Sequence, residues 1–334
     1  MAEQKISPKD YSLVDRYSAF NAIYQQNSHL NNHTNRQQAH QSSLLTIGVA
    51  ACSIRQINGT DVSLSIDSVI VEEPLEIHLI YSDCAGKQKE RVYLVTMRTP
   101  GDDLNLVTGL LLAEGIINSA SDIVGINEHF DLDDMRQNEI HLRLSSDVVV
   151  DWALINRDTT SFSSCGVCGK SSIQSLELRD IPDLDSTEGW LSGLMIPHFS
   201  DTLRQFQSMF NQTGGVHGCA LFDAKGALLL SCEDVGRHNA LDKLMGKLAR
   251  SPELDQQEKI VFLSGRISFE LVQKVLVSGI SVLIAVGAPS NLAINMAKRF
   301  NLTLIGFSRN GGFNVYHGAF RLNLATDIEN QHDN

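Results

Sequence analysis

Between residues 235 and 307 the chain alternates helical and extended apolar patterns three times over, and this constrains the fold more than any other feature. The spacing predicts helices over 235–249, 267–278 and 289–300, separated by strands over 259–263, 281–286 and 302–307. Strands that take turns with helices in this way build right-handed βαβ crossovers, so a largely parallel sheet core is expected. Two short strands precede it, Val216–Phe222 and Ala227–Ser231, joined by the turn Asp223-Ala224-Lys225-Gly226. Before those, a helix carrying Leu203, Phe206 and Phe210 runs into Thr213-Gly214-Gly215. Together these elements make an α/β core over 183–320.

The preceding half reads as a smaller α+β lobe over 45–156. Leu75-Glu76-Ile77-His78-Leu79 and Ile140-His141-Leu142-Arg143-Leu144 alternate apolar and polar residues, as half-buried strands do. Ala85-Gly86-Lys87-Gln88 is a turn before the strand Val92–Met97. After Pro100-Gly101, Asp102 is placed to cap a helix with Leu104, Val107, Leu110 and Leu111 on one face, stopping near Gly115. Residues 1–44 form a tail in which Gln25–Ser43 is dominated by Gln, Asn, His and Ser, a composition that favours disorder. Its histidines His29, His33 and His40 read as part of that polar linker rather than as a metal site.

At 334 residues the chain has room for one or two domains, and 43% hydrophobic content is that of an ordinary globular protein. No run reaches transmembrane length and the first residues lack a signal peptide's apolar stretch, so a cytoplasmic location and no membrane partner are expected. A net charge of −12 argues against nucleic acid as a partner and makes clustered arginines stand out. Six cysteines, Cys52, Cys84, Cys165, Cys168, Cys219 and Cys232, are too few and scattered for a secreted disulfide framework.

In open α/β sheets ligands bind beyond the carboxyl ends of the strands, where this chain carries its polar residues. The first group is Glu233-Asp234-Val235-Gly236-Arg237-His238-Asn239. Next come Ser264-Gly265-Arg266 with Ser268, then Ala288-Pro289-Ser290, and last Phe307-Ser308-Arg309-Asn310-Gly311-Gly312. Three arginines and Lys243 near one rim, with helix N-termini directed there, would bind a phosphorylated ligand. An arginine at one strand end is ordinarily solvated or paired with a carboxylate, and a histidine such as His238 is ordinarily structural. Recurrence at successive strand ends favours the ligand.

Residues 157–182 form a loop rich in Ser, Thr and Gly that carries Ser164-Cys165-Gly166-Val167-Cys168-Gly169-Lys170. A structural zinc site needs four ligands, and no second CxxC lies nearby to complete one, so no metal site is expected. A thioredoxin-type pair would open a helix after a strand, whereas a polar stretch precedes these thiols. Glycine flanks suit a sulfur that must be approached, which favours a reactive thiolate at Cys165, with Lys170 available to lower its pKa. The loop is long enough to swing over the sheet's carboxyl edge, bringing Cys165 to the arginine rim.

Taken together, these segments resemble the formate dehydrogenase accessory sulfurtransferase family (FdhD). The resemblance rests on Ser164–Gly169, Thr213-Gly214-Gly215-Val216-His217, Glu233–Lys243 and Ser264-Gly265-Arg266-Ile267-Ser268-Phe269-Glu270-Leu271. It closes on Gly306-Phe307-Ser308-Arg309 and Phe313-Asn314-Val315-Tyr316, with weaker agreement at Glu73-Pro74-Leu75 and Thr99-Pro100-Gly101-Asp102. It implies a cytidine deaminase-like α/β core, a cytoplasmic homodimer and a sulfur carrier serving formate dehydrogenase. Sulfur would come from a cysteine desulfurase as a persulfide on Cys165, assisted by Cys168, and pass to the molybdenum bis(molybdopterin guanine dinucleotide) cofactor. That cofactor is carried as substrate, with no permanently bound group, and the resemblance assigns it to Phe307–Gly312. Arg237, His238, Ser264, Gly265 and Arg266 complete the rim expected from the residues themselves. Two other classes stay open. A non-catalytic cofactor chaperone would tolerate loss of both cysteines. A zinc deaminase-like hydrolase would need PCxxC and a glutamate after its histidine, but Ser164 precedes Cys165 and His217-Gly218-Cys219 lacks the glutamate.

Overall fold

The computed structural model describes residues 48–83, 85–128, 138–152, 181–254 and 259–324. Strands β1 (Val49–Asn58) and β2 (Asp61–Ile70) pair in a two-stranded sheet, and residues 51–68 of it belong to a separate unit. The other described residues form a second unit, so both the lobe expected over 45–156 and the core expected over 183–320 contribute to it.

In that unit β3 (Glu73–Ser82), β4 (Gln88–Arg98), helix α1 (Asp103–Ala113), β5 (Ile123–Glu128) and β6 (Glu139–Leu144) follow in chain order. The strands form a sheet of order β4-β3-β6-β5, with β3 and β6 parallel and the outer pairings antiparallel. Alternation assigns the faces. Leu75, Ile77, Leu79, Ile140 and Leu142 pack under Leu106, Val107, Leu110 and Leu111 of α1, while Glu76, His78 and His141 lie on the other face. Asp102 does not cap α1: it takes a left-handed conformation (φ 59°) with no side-chain cap bond. Instead the buried Arg98 grips Asp103 through two parallel bonds of 2.9 Å and anchors the first turn.

The second sheet follows β7 (Leu191–Ser192), α2 (Phe199–Phe206) and α3 (Ser208–Thr213). It is built from β8 (His217–Asp223), β9 (Leu228–Asp234), α4 (Arg237–Ala249), β10 (Lys259–Leu263), α5 (Phe269–Val277), β11 (Val282–Ala285), α6 (Asn291–Arg299), β12 (Thr303–Arg309) and β13 (Gly312–His317). The strand order is β13-β12-β11-β10-β8-β9. Only β10–β11 and β11–β12 are parallel; the other three pairings are antiparallel, so the sheet is mixed rather than largely parallel. The reason is local. Tight turns force antiparallel neighbours, and only helical crossovers return a strand parallel. Asp223–Gly226 makes the expected turn between β8 and β9, its carboxylate accepting from the amides of Lys225 and Ala227. Asn310 and Gly311, both at positive φ, make a second hairpin turn between Arg309 and Gly312.

Strand alternation also sorts the core into layers. Leu221, Val261, Leu263, Leu283 and Leu304 pack against α4, α5 and α6 on one face, whereas Phe222, Ile260, Phe262, Ile284 and Ile305 meet Phe199 and Leu203 of α2 on the other. The helix expected through Leu203, Phe206 and Phe210 is broken at Gln207, and Phe206 is exposed. The break lets Glu233 accept the amides of Met209 and Phe210 at 3.0 and 2.9 Å, tying the first turn of α3 to β9.

A helix crossing and a cluster of hydrogen bonds join the sheets. Helices α1 and α4 cross so closely that a Cβ on Gly109 would lie 2.0 Å from the Asp242 carbonyl oxygen, and one on Gly246 would lie 1.9 Å from that of Asn105. Beside this crossing every polar backbone and side-chain group of Thr99 is held by the second sheet. Its amide donates to Asp234 (3.1 Å), its hydroxyl accepts from Val235 (3.0 Å) and its carbonyl accepts from Lys243 (2.8 Å). Lys243 also pairs with the buried Asp234 at 2.8 Å.

Gly246→Ala should lower stability by about 1–3 kcal/mol in urea titration, because overpacking the crossing outweighs the better helix propensity of alanine. Stabilisation by that change would show that the helices do not approach as described. Asp234→Ala leaves the Lys243 ammonium buried and uncompensated and should cost about 3–5 kcal/mol by the same measurement; a loss below about 1 kcal/mol would contradict it.

Candidate functional site

The carboxyl ends of β10, β11 and β12 lie at one edge of the second sheet. The antiparallel course of β8 and β9 brings His217 and Asp234 to the same edge, as register partners. The loops there are stitched backbone to backbone. Ser264 donates its amide to the Gly218 carbonyl and accepts the Gly218 amide on its hydroxyl, both at 2.9 Å. Gly287 donates to Gly265 (3.0 Å), and Phe307 donates to Gly287 (3.2 Å). Glycine is required at 287, since a Cβ there would sit 2.7 Å from the Gly265 carbonyl oxygen.

Arg237 opens α4 immediately after Gly236, whose extended backbone leaves the helix N-terminus without a side-chain cap. His238 places Nε2 3.1 Å from the Ser268 hydroxyl and 2.9 Å from a carboxylate oxygen of Glu270. The hydrogen bond from His238 holds the Glu270 carboxyl below its usual value. His217 lies near His238 and Gly265. Burial lowers its pKa, and the charges of Arg237, His238 and Arg266 lower it further against the pull of Asp234. His217 is therefore a neutral imidazole in a positive field, and Gly265 leaves space for its ring: a Cβ there would approach Nδ1 to 3.3 Å. Arg237, His238, Arg266, Ser264 and Gly265 thus share one neighbourhood.

Phe307–Gly312 sits beside it with a different character. Phe307 has φ 55°, an uncommon conformation for a bulky residue, at a register break where β12 passes into the hairpin. Ser308 is buried and its hydroxyl donates to the Ile196 carbonyl (3.1 Å), while Arg309 is exposed, its guanidinium 5.8 Å from the Phe307 ring. Asn310, Gly311 and Gly312 form the exposed turn. Arg309 and Arg266 follow strands two places apart, which separates their positions by about 10 Å along the edge.

Lys243, expected on the rim with the arginines, is not there. It is 2% exposed and bound to Asp234 and Thr99, because the helical spacing from Arg237 turns it inward toward α1. The sequence reading also missed a cleft of about 530 Å³ that opens from the edge along α2, lined by Arg204, Gln207, Phe210, Gly214, His217 and Ser264 among others. The Arg204 guanidinium lies over the Phe210 ring at 3.9 Å. Nε2 of Gln207 is buried with no hydrogen-bond partner among the described residues, a polar group available to a ligand. The only sequence signal was Thr213-Gly214-Gly215; an arginine on the polar side of α2 looks like any solvated one.

Cys165 and Cys168 lie outside the described residues, as do the other residues of 157–180. Cys219 and Cys232 are free, buried register partners on β8 and β9; burial pushes the Cys219 thiol well up and the Cys232 thiol up to about 12. Both are core residues and unsuited to attack. No described helix is long and apolar enough to cross a membrane.

The chain resembles known proteins along most of its length. A sulfur carrier protein FdhD from Streptomyces avermitilis is 39% identical over 267 residues, covering 79% of this chain and 92% of that protein. The sulfur carrier protein FdhD of Sulfolobus acidocaldarius is 38% identical over 260 residues, covering 78% and 93%. Among solved structures, a candidate formate dehydrogenase accessory protein from Desulfotalea psychrophila superposes with a TM-score of 0.62 at 24% identity, over 82% of this chain and 99% of that one. Residues 70–323 match the FdhD/NarQ family, which takes in both sheets, the rim and the CxxC segment, and the chain belongs to that family.

Proposed function

We propose that this protein is a sulfur carrier that takes sulfur from a cysteine desulfurase and passes it to the molybdenum bis(molybdopterin guanine dinucleotide) cofactor of a formate dehydrogenase. The observation that carries the reading is the family match over 70–323, within which Cys165 and Cys168 lie on the one CxxC of the chain. The edge supports it independently. Arg237, Arg266 and the open N-terminus of α4 suit phosphate, and the cleft beside them has the volume of a pocket for a nucleotide-sized ligand. Phe307–Gly312, with its strained Phe307 and exposed Arg309, is assigned to the same cofactor. The reading carries with it a homodimer and a place in the cytoplasm. It also assigns the core to the cytidine deaminase-like class, which fits an antiparallel hairpin beside three parallel strands with α4, α5 and α6 on one face.

In this reading the Cys165 thiolate attacks the outer sulfur of the desulfurase persulfide, forms Cys165–S–S⁻ and releases the desulfurase thiolate. The Cys168 thiolate then attacks Sγ of Cys165. A Cys165–Cys168 disulfide forms, and the outer sulfur, which takes up a proton from solvent, leaves as hydrosulfide, two electrons richer, to become a ligand of the bound metal. A cellular dithiol must reduce that disulfide before the next cycle. Proximity of the persulfide to the bound cofactor supplies much of the transfer rate.

After incubation with a cysteine desulfurase and cysteine, intact mass should show one added sulfur on the parent and none on Cys165→Ala, and Cys165→Ala should leave the client dehydrogenase inactive. Full client activation by Cys165→Ala would favour the non-catalytic chaperone instead. Cys168→Ala should still take up the sulfur while activating the client more slowly. The arginines make a separate test by calorimetry. Each of Arg237→Ala, Arg266→Ala and Arg309→Ala should weaken GDP binding by about 1–3 kcal/mol, the scale of a lost charge-assisted hydrogen bond. A triple variant that binds GDP as the parent does would remove the rim from the reading.

A further inference from the structure

The outer face of the first sheet carries a group of side chains that sulfur transfer does not use. His78 and His141 are register partners on the parallel strands β3 and β6, and their rings stack at 4.1 Å between centroids, 18° from parallel. Both Nδ1 atoms face one carboxylate oxygen, Oε1 of Glu90 on β4, at 3.5 Å from His78 and 2.6 Å from His141. On the far side of the rings, Oε1 of Glu76 lies 2.8 Å from Nε2 of His78 and Oε2 of Glu139 lies 3.6 Å from Nε2 of His141. The Glu76 contact is close but out of line for a hydrogen bond, so Nε2 of His78 is buried without one.

From this arrangement we infer that His78, His141 and Glu90 form a binding site for a divalent transition cation, with zinc the best match. Two imidazole nitrogens and one carboxylate oxygen, all within 4.8 Å of one another, make three ligands. Metal–ligand bonds of about 2.0–2.2 Å put neighbouring ligand atoms roughly 3–3.5 Å apart, which the stacked rings reach by tilting toward a common point beside Glu90. The cation takes the place of the proton shared by His141 Nδ1 and Glu90 Oε1, which leaves to solvent. Both rings then carry their remaining proton on Nε2, on the side of Glu76 and Glu139, which a side-chain rotation would bring into the supporting position usual behind a ligating imidazole. Three carboxylates around the two rings favour a cation, although Arg143, near His141 along a small cavity of about 80 Å³, tempers that charge. The nitrogen-rich donor set selects zinc, nickel or copper over magnesium or calcium. Since the ligands come from three strands, the ion ties β3, β4 and β6 together.

The test uses the full chain with its accessible cysteines alkylated and His29, His33 and His40 replaced by glutamine, so that neither reactive thiols nor tail histidines bind metal. Zinc titration calorimetry should find one site. His78→Ala or His141→Ala should weaken it at least 100-fold, and Glu90→Gln about 10-fold. Zinc should raise the melting temperature of the parent and leave that of the histidine variants unchanged. X-ray absorption of the zinc-loaded parent should give two imidazoles in the metal shell, a reading that stands whether or not the variants fold. Unchanged affinity in the histidine variants, or a shell with fewer than two imidazoles, would overturn the site.

Discussion

Thr99 is the point on which the two sheets of the larger unit depend. Its amide, hydroxyl and carbonyl are each taken by a residue of the second sheet or its first crossover helix, at 3.1, 3.0 and 2.8 Å. Asp234 and Lys243 are themselves buried, so their part of the contact is an all-or-nothing arrangement. Asp234 without Lys243 would be a desolvated carboxylate, and Lys243 without Asp234 a desolvated ammonium. Asn239 extends the same junction by donating to the Met97 carbonyl at 2.7 Å, and Arg98 next to Thr99 fixes the start of α1. One short segment thereby sets where β4 ends, where α1 begins and how α1 crosses α4.

That constraint also builds the functional edge. The segment from Glu233 to Lys243 faces two ways. Asp234, Asn239 and Lys243 point into the junction, while Arg237 and His238, on another side of the first helical turn, point to the edge beside His217 and Glu270. Anchoring the inward residues fixes the N-terminus of α4, and with it the directions of Arg237 and His238. The glycine-lined stitching of Gly218, Ser264, Gly265, Gly287 and Phe307 holds the remaining loops at backbone contact, so the edge is preorganised rather than assembled around a ligand. The histidine pair of the first sheet is independent of this edge. It arises from register alone, since His78 and His141 occupy paired positions on parallel strands.

Periodicity in the sequence alone determined the elements of the core, because each strand's two faces and each helix's apolar stripe must be buried somewhere. The helices over 237–249, 269–277 and 291–299 and the strands between them fall within a few residues of the expected spans. The gathering of Arg237, His238, Ser264, Gly265 and Arg266 was legible for the same reason: strand ends of one sheet must meet. The resemblance to the FdhD family was legible from residue identity, and the family match bears it out. Only tertiary structure decided the rest. Strand direction follows from how tightly a turn closes, which made the sheet mixed where alternation suggested a parallel one. Lys243 was drawn inward by a partner, Asp234, and by the Thr99 carbonyl more than a hundred residues away in the chain, a contact no local pattern encodes. The cleft along α2 and the facing of His78 on His141 are likewise products of strand order and helix packing. Neighbours in space there are distant in sequence, and hydrophobic periodicity carries no information about which polar residues will meet.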